Sequence, residues 1–198
     1  MRPNSMRIVR GLVAVATAVA MVGLAPSSSA QDLNAIAIGD SVMLGAKSQL
    51  RAIGIETVDA KVSRQASTGV SLLRGRGSRL PEHVVVHLGT NGSHSVKTCR
   101  RIVRVAGKNR TVYLVNFKVP RPWEKVNNRI LQKCDAKFRS DRVVLLDWHR
   151  LASENPEYLY ADGYHLRPEG AKAFAAMVRK AINTPRAPYA DRLDLPRR

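Results

Sequence analysis

Short apolar runs recur along the chain at 35–39 (AIAIG), 57–62 (TVDAKV), 83–90 (HVVVHLGT), 111–117 (TVYLVNF) and 143–149 (VVLLDWH). Several are rich in Val, Ile and Leu with no alternating polar position. A strand that is apolar on both faces belongs in a parallel sheet covered by helices, so these runs predict five parallel strands. Helical spacing occupies the stretches between them, at about 42–53, 69–79, 96–106 and 122–138, and a last helix is predicted over 168–183. Pro168 suits a first helical position, and Gly54 and Gly107 suit helix ends. Five βα units in succession predict a three-layer α/β/α sandwich, with no internal repeat and no linker to divide it.

The two ends of the chain stand apart from this pattern. Arg2, Arg7 and Arg10 precede a charge-free apolar run over 11–26, and Ser28-Ser29-Ala30 supplies the small residues of a signal-peptidase site. Residues 1–30 therefore predict a secretory signal, since the run falls short of the roughly 20 apolar residues that span a bilayer. No later segment is predicted to cross a membrane, and the expected location is extracytoplasmic, in the cell envelope. The folded domain is expected over 31–183. Residues 184–198 (TPRAPYADRLDLPRR), with three prolines and four arginines, are expected to form a basic tail. Export gives the only two cysteines, Cys99 and Cys134, an oxidising compartment in which to pair. Two Cys without a neighbouring His cluster make no zinc pattern, and no cofactor is expected.

Composition and charge narrow the function. With 198 residues, 44% hydrophobic and 24% charged, the chain makes one globular domain of ordinary size and is neither disordered, collagen-like nor disulfide-dense. Lys and Arg number 33 against 15 Asp and Glu, a net +18. The expected signal takes away three arginines and no acid, so the bias belongs to the domain and calls for an anionic partner or matrix. Nucleic acid is not the expected partner, because the chain carries no recognisable DNA or RNA motif and only 5% aromatic residues for stacking.

In an open parallel sheet the ligand crevice lies beyond the carboxyl ends of the strands, where strand order reverses. The loops that end there carry Gly39-Asp40-Ser41, Gly89-Thr90-Asn91-Gly92 and Asp162-Gly163-Tyr164-His165. A hydroxyl nucleophile needs a base to take its proton and a third group to orient that base. Ser41 sits where a strand gives way to a helix, a place that also suits a helix N-cap. Among the five histidines, His87 lies inside an apolar run and reads as core, His83 as solvated, and His94 and His149 as weaker rivals near strand ends. His165 is preferred because Asp162 stands three residues before it and the following Leu-Arg-Pro-Glu-Gly starts a helix that fixes the loop. Asp40 is expected to brace the turn.

In order and spacing, Gly39-Asp40-Ser41, Gly89-Thr90-Asn91 and Asp162-x-x-His165 resemble the SGNH hydrolase family, also called GDSL esterases, over nearly all of residues 35–182. GDSVMLGA at 39–46, VDAKVSRQ at 58–65, HLGTNG at 87–92, VNFKVPRPWE at 115–124, LLDWH at 145–149 and ADGYHLRPEG at 161–170 resemble, more narrowly, the extracytoplasmic domain of peptidoglycan O-acetyltransferases and related membrane acyltransferases. The resemblance implies a flavodoxin-like sheet and a serine esterase or acyltransferase working through an acyl-enzyme. It implies Ser41 as nucleophile, His165 as general base and acid, and Asp162 as the residue that orients His165. The backbone N–H of Ser41 and the side-chain amide of Asn91 are implied as oxyanion donors. Many members add a glycine N–H after the second strand, and here Ser63 stands at that position.

Arg64, Gln65, Arg121 and Trp123 follow the second and fourth strands and are the expected substrate contacts, with Trp123 stacking on a sugar and Arg121 meeting an anion. Trp148 and His149 are expected to close the fifth strand and buttress the site. In the related acetyltransferases the domain follows a bundle of membrane helices that delivers the acyl group. No such bundle is predicted here, so either a separate membrane protein is the donor or water is the acceptor. The expected substrate is O-acylated carbohydrate of the cell envelope, such as O-acetylated peptidoglycan. The rival from another class is a non-catalytic basic wall-binding protein, which explains charge and export but not the convergence of Ser41, Asn91, Asp162 and His165.

Overall fold

The computed structural model describes residues 32–138 and 142–185; the expected signal and the tail from 186 onward lie outside the described residues. Five strands, β1 (Ala35–Gly39), β2 (Thr57–Ala60), β3 (His83–His87), β4 (Thr111–Val115) and β5 (Val143–Leu146), form one sheet in the order β2-β1-β3-β4-β5. Every pairing is parallel, with Gly39 in register with both Ala60 and His87. The strand order reverses between β1 and β3, which puts the loops after these two strands on either side of the crevice.

Alternate strand residues feed two separate cores. Ile36, Ile38, Val84, Val86, Val112 and Leu114 pack against α3 (Ala66–Arg76), α4 (Val96–Ala106) and α5 (Glu124–Phe138) on one face. Ala35, Ala37, Val85, Tyr113 and Val115 pack on the other face. Their partners there are α1 (Ser41–Gly45), α2 (Lys47–Ala52), α6 (Trp148–Glu154) and α7 (Pro168–Asn183). Trp148 of α6 and Phe174 of α7 meet edge to face at 5.2 Å in this second core. These are the α/β/α layers and the all-parallel sheet that the apolar runs predict.

Boundaries differ from the pattern where polar side chains take over backbone groups. The run at 143–149 stops as a strand at Leu146, because Asp147 caps a helix by accepting the N–H of Arg150 at 3.1 Å. Trp148 and His149 therefore belong to α6 and do not close β5. β2 ends at Ala60, β3 at His87 and β4 at Val115, and the residues beyond them become the loops of the crevice. The helix expected over 42–53 is two short helices joined at Ala46. α3 starts earlier than expected and gives way after Arg76 to a 3-10 turn over Gly77–Arg79, while α5 starts at Glu124.

Cys99 of α4 and Cys134 of α5 form a disulfide with Cα atoms 6.4 Å apart, both buried. Closing a loop of this length restricts the unfolded chain by about 4 kcal/mol in the chain-entropy model. Converting both cysteines to Ala is expected to lower the unfolding free energy by about that amount in denaturant titrations, and a loss below about 1 kcal/mol would remove the bond from the stability account.

Candidate active site

The turn from β1 into α1 leaves no room for a side chain at position 39, where a Cβ would lie 2.3 Å from that of Met43. Gly39 lets the chain turn at once into Asp40 and Ser41. Ser41 is the first residue of α1, so its backbone N–H has no partner within the helix. Asp40, fully buried, caps α1 through the N–H of Val42 at 3.2 Å. The same carboxylate accepts from His87 Nδ1 at 3.2 Å, from the Thr90 N–H at 3.3 Å and from the Thr90 hydroxyl at 2.5 Å. Burial alone would raise the Asp40 carboxyl, but His87 beside it and then the bonds from Thr90 and Val42 hold it below its ordinary value. A single anion thus ties the Ser41 turn to the loop that carries Asn91. The expectation that Asp40 braces this turn and that His87 is core agrees with this geometry.

Across the crevice, a tight loop before α7 is pinned by a bridge between Leu159 and Leu166 and by the Tyr160 N–H bonded to the His165 carbonyl at 2.9 Å. Asp162 Oδ1 accepts the backbone N–H groups of Tyr164 at 3.1 Å and His165 at 3.0 Å. Its Oδ2 lies 2.7 Å from His165 Nδ1, and His165 Nε2 lies 3.0 Å from Ser41 Oγ. The partial burial of Asp162 raises its carboxyl, and the hydrogen bonds from His165 and from the two N–H groups more than offset this, so it stays ionised to below the usual range. The Tyr164 ring packs on His165 with centroids 4.1 Å apart. A hydroxyl bonded to one imidazole nitrogen, with a carboxylate on the other, is the arrangement that activates an alcohol as a nucleophile.

Other predicted residues divide into those that face the crevice and those held inside the protein. Asn91 is half-buried on the loop after β3, and its side-chain amide makes only long bonds, 3.4 Å to the Arg64 carbonyl and 3.3 Å to the Thr90 hydroxyl. Ser63 is exposed in the turn after β2 with φ +59°, a left-handed conformation that favours glycine. The Arg64 side chain, only 9% exposed, turns inward to the Asp59 carboxylate at 2.7 Å and to the carbonyls of Gly39 and Asp59. Gln65 donates its side-chain amide to the Asn91 carbonyl at 2.7 Å. In the free protein these two expected substrate contacts clamp β2 and the Asn91 loop, because a carboxylate and a carbonyl lie within their reach. Arg121 is exposed, and Trp123, half-buried, donates its indole N–H to the Thr90 carbonyl at 3.2 Å.

The rival histidines are committed elsewhere. His94 is buried, stacked on Phe117 and bonded to the Ser95 carbonyl, and burial holds its pKa below the ordinary value. His149 Nε2 pairs with Glu124 at 3.1 Å. Sequence reasoning missed Asn127, which lies fully buried on α5. Its amide donates to the carbonyls of Gly89 and Gly92 at 2.8 Å, and its oxygen accepts the His94 N–H at 2.7 Å, so it shapes the loop around Asn91. The available signal was a polar residue at 127 in step with the buried Leu131 and Cys134 of the same helix.

Ser41, His165 and Asp162 thus gather at the carboxyl end of a parallel α/β sheet, in the order that the resemblance to SGNH hydrolases implies. The chain matches no protein-family model. It is 39% identical over 163 residues to YrhL of Bacillus subtilis, covering 80% of this chain and 25% of that protein. It is 32% identical over 151 residues to the peptidoglycan O-acetyltransferase OatA of Listeria monocytogenes, covering 75% of this chain and 24% of OatA. The chain thus spans about a quarter of the length of these relatives. Among solved structures, the C-terminal catalytic domain of Streptococcus pneumoniae OatA superposes with a TM-score of 0.62 at 25% identity, covering 75% of this chain and 92% of that domain. A family 3 carbohydrate esterase from Clostridium thermocellum, at 14% identity, shares the fold with a TM-score of 0.60 over 74% of this chain and 92% of its own. In sequence the chain is similar to a segment of peptidoglycan O-acetyltransferases, and it shares its fold with the catalytic domain of one of them and with G-D-S-L-type hydrolases. Among the described residues no helix is long and apolar enough to cross a membrane.

Proposed function

We propose that the protein is an exported serine enzyme that moves O-acyl groups, acetyl foremost, on cell-envelope carbohydrate such as peptidoglycan. The observation that carries this reading is the continuous chain of hydrogen bonds from Asp162 through His165 to Ser41. Ser41 Oγ attacks the acyl carbonyl while His165 Nε2 takes its proton. The Ser41 N–H, the Asn91 amide and the Ser63 N–H receive the developing oxyanion; the long bonds of Asn91 in the free protein leave its amide able to turn to this task. The tetrahedral adduct collapses, His165 returns the proton to the departing alcohol, and an acyl-Ser41 ester remains. A second oxygen nucleophile, deprotonated by His165, then releases the acyl group. The relatives named as peptidoglycan O-acetyltransferases and the esterases of the same fold support this chemistry and an extracytoplasmic place for it.

Water and a sugar hydroxyl compete for the acyl-enzyme, and a sugar wins only if it is held close to His165. The residues proposed to hold one are Trp123, bonded to Thr90 beside Asn91, and the exposed Arg121. With p-nitrophenyl acetate as donor and chitooligosaccharides as acceptor, mass spectrometry is expected to find O-acetylated sugar, and Trp123→Ala to suppress this product more than hydrolysis. Acetate release alone, indifferent to acceptor and to Trp123→Ala, would leave a plain esterase.

A further inference from the structure

Among the described residues the excess of positive charge falls in one stretch of the chain. Residues 63–138 hold sixteen Lys and Arg against three acids, Glu82, Glu124 and Asp135. The remaining described residues hold nine of each sign. Of the three acids Asp135 is buried, and the half-buried Glu124 is bonded to His149, so Glu82 alone is exposed. The basic stretch builds α3, α4 and α5, which pack side by side on the same face of the sheet around one core. Their outward positions are Arg74 on α3, then Lys97, Arg100, Arg101 and Arg104 on α4, and Lys125, Arg129, Lys133 and Lys137 on α5, all exposed. On α4 the spacing is i, i+3, i+4, i+7, and on α5 it is i, i+4 throughout, so each helix shows a single cationic stripe. Like charges four residues apart cost stability, and nine on adjacent helices are sustained without a matching set of carboxylates.

We infer that the outer face of α3, α4 and α5 is a docking surface for the carboxylate-bearing peptidoglycan polymer, separate from the crevice that holds Ser41. Naming the wall polymer rests on the proposed function; the surface itself rests on the charge segregation. All three helices begin at the crevice end of the sheet, after the loops of β2, β3 and β4, so the stripes run from the rim of the site down the face. A polymer lying along them stays near the rim while its acyl-bearing hydroxyls visit the crevice, which raises the local substrate concentration. Val126 is the one large apolar side chain exposed on these helices, so the face has nothing to insert between lipid tails and favours a polyanion over a bilayer.

The test is cosedimentation of the whole protein with purified insoluble peptidoglycan, comparing wild type with the fourfold variant Arg100→Gln, Arg104→Gln, Arg129→Gln, Lys133→Gln. Four fewer cations are expected to weaken binding about tenfold or more at low salt, with the difference shrinking as salt shortens the Debye length. Amidating the carboxylates of the peptidoglycan should weaken wild-type binding alike. The variant should keep its melting temperature and its turnover of p-nitrophenyl acetate. Equal binding by variant and wild type, or full binding to amidated peptidoglycan, overturns the inference. So does preference for phosphatidylglycerol vesicles or DNA over peptidoglycan. A wild type that binds peptidoglycan as expected yet has no esterase turnover would instead refute the proposed catalysis and leave the docking face standing.

Discussion

Ser41→Ala is expected to lower the turnover of p-nitrophenyl acetate by about 10⁴-fold or more while leaving the melting temperature within about 1 °C of wild type. The hydroxyl is the proposed covalent centre, so nothing else in the crevice replaces it. Its removal costs the fold little, because Ala keeps the backbone N–H at the start of α1 and the cap comes from Asp40, not from Ser41. The Oγ has one described partner, His165 Nε2, which water can take over. Near wild-type turnover in a purified variant would place the nucleophile elsewhere.

The second large effect is expected at Asn91. Its amide is poorly bonded in the free protein and is proposed to bond fully only to the oxyanion, so Asn91→Ala removes an interaction of the transition state. Loss of one such donor costs about 10²–10³ in kcat, with KM nearly unchanged. A variant in which KM rises and kcat holds would make Asn91 a ground-state contact. The loop itself should survive, since Gln65 bonds the backbone of Asn91, and Asp40 and Asn127 hold its neighbours Thr90 and Gly92.

Much of this site was legible from order alone. Asp162 and His165 are three residues apart, so one tight loop brings their side chains together without help from the rest of the fold. Ser41 and His165 are 124 positions apart, and their meeting became readable only through the rule that parallel strands point their carboxyl ends at a common crevice. The fold followed from the apolar runs because a fully covered sheet needs both faces apolar, and all five runs supplied strands. What escaped was the work of single polar side chains. The run VVLLDWH reads as strand until Asp147 is recognised as a cap, after which Trp148 falls into a helix core. Arg64 and Gln65 follow β2 as a substrate loop should, and only the positions of Asp59 and Asn91 show where their donors go. The excess of charge is plain in the sequence, but its concentration on one face depends on α3, α4 and α5 sharing a side of the sheet.

The central claim is that Ser41, driven by His165, forms a covalent acyl-enzyme. Incubation with a fluorophosphonate, followed by intact-mass and peptide mass spectrometry, tests it in one measurement. The account predicts a single adduct, on the peptide that contains Ser41, absent in Ser41→Ala and formed far more slowly in His165→Ala. An adduct on any other residue, or no adduct in a protein that still releases acetate, would contradict it.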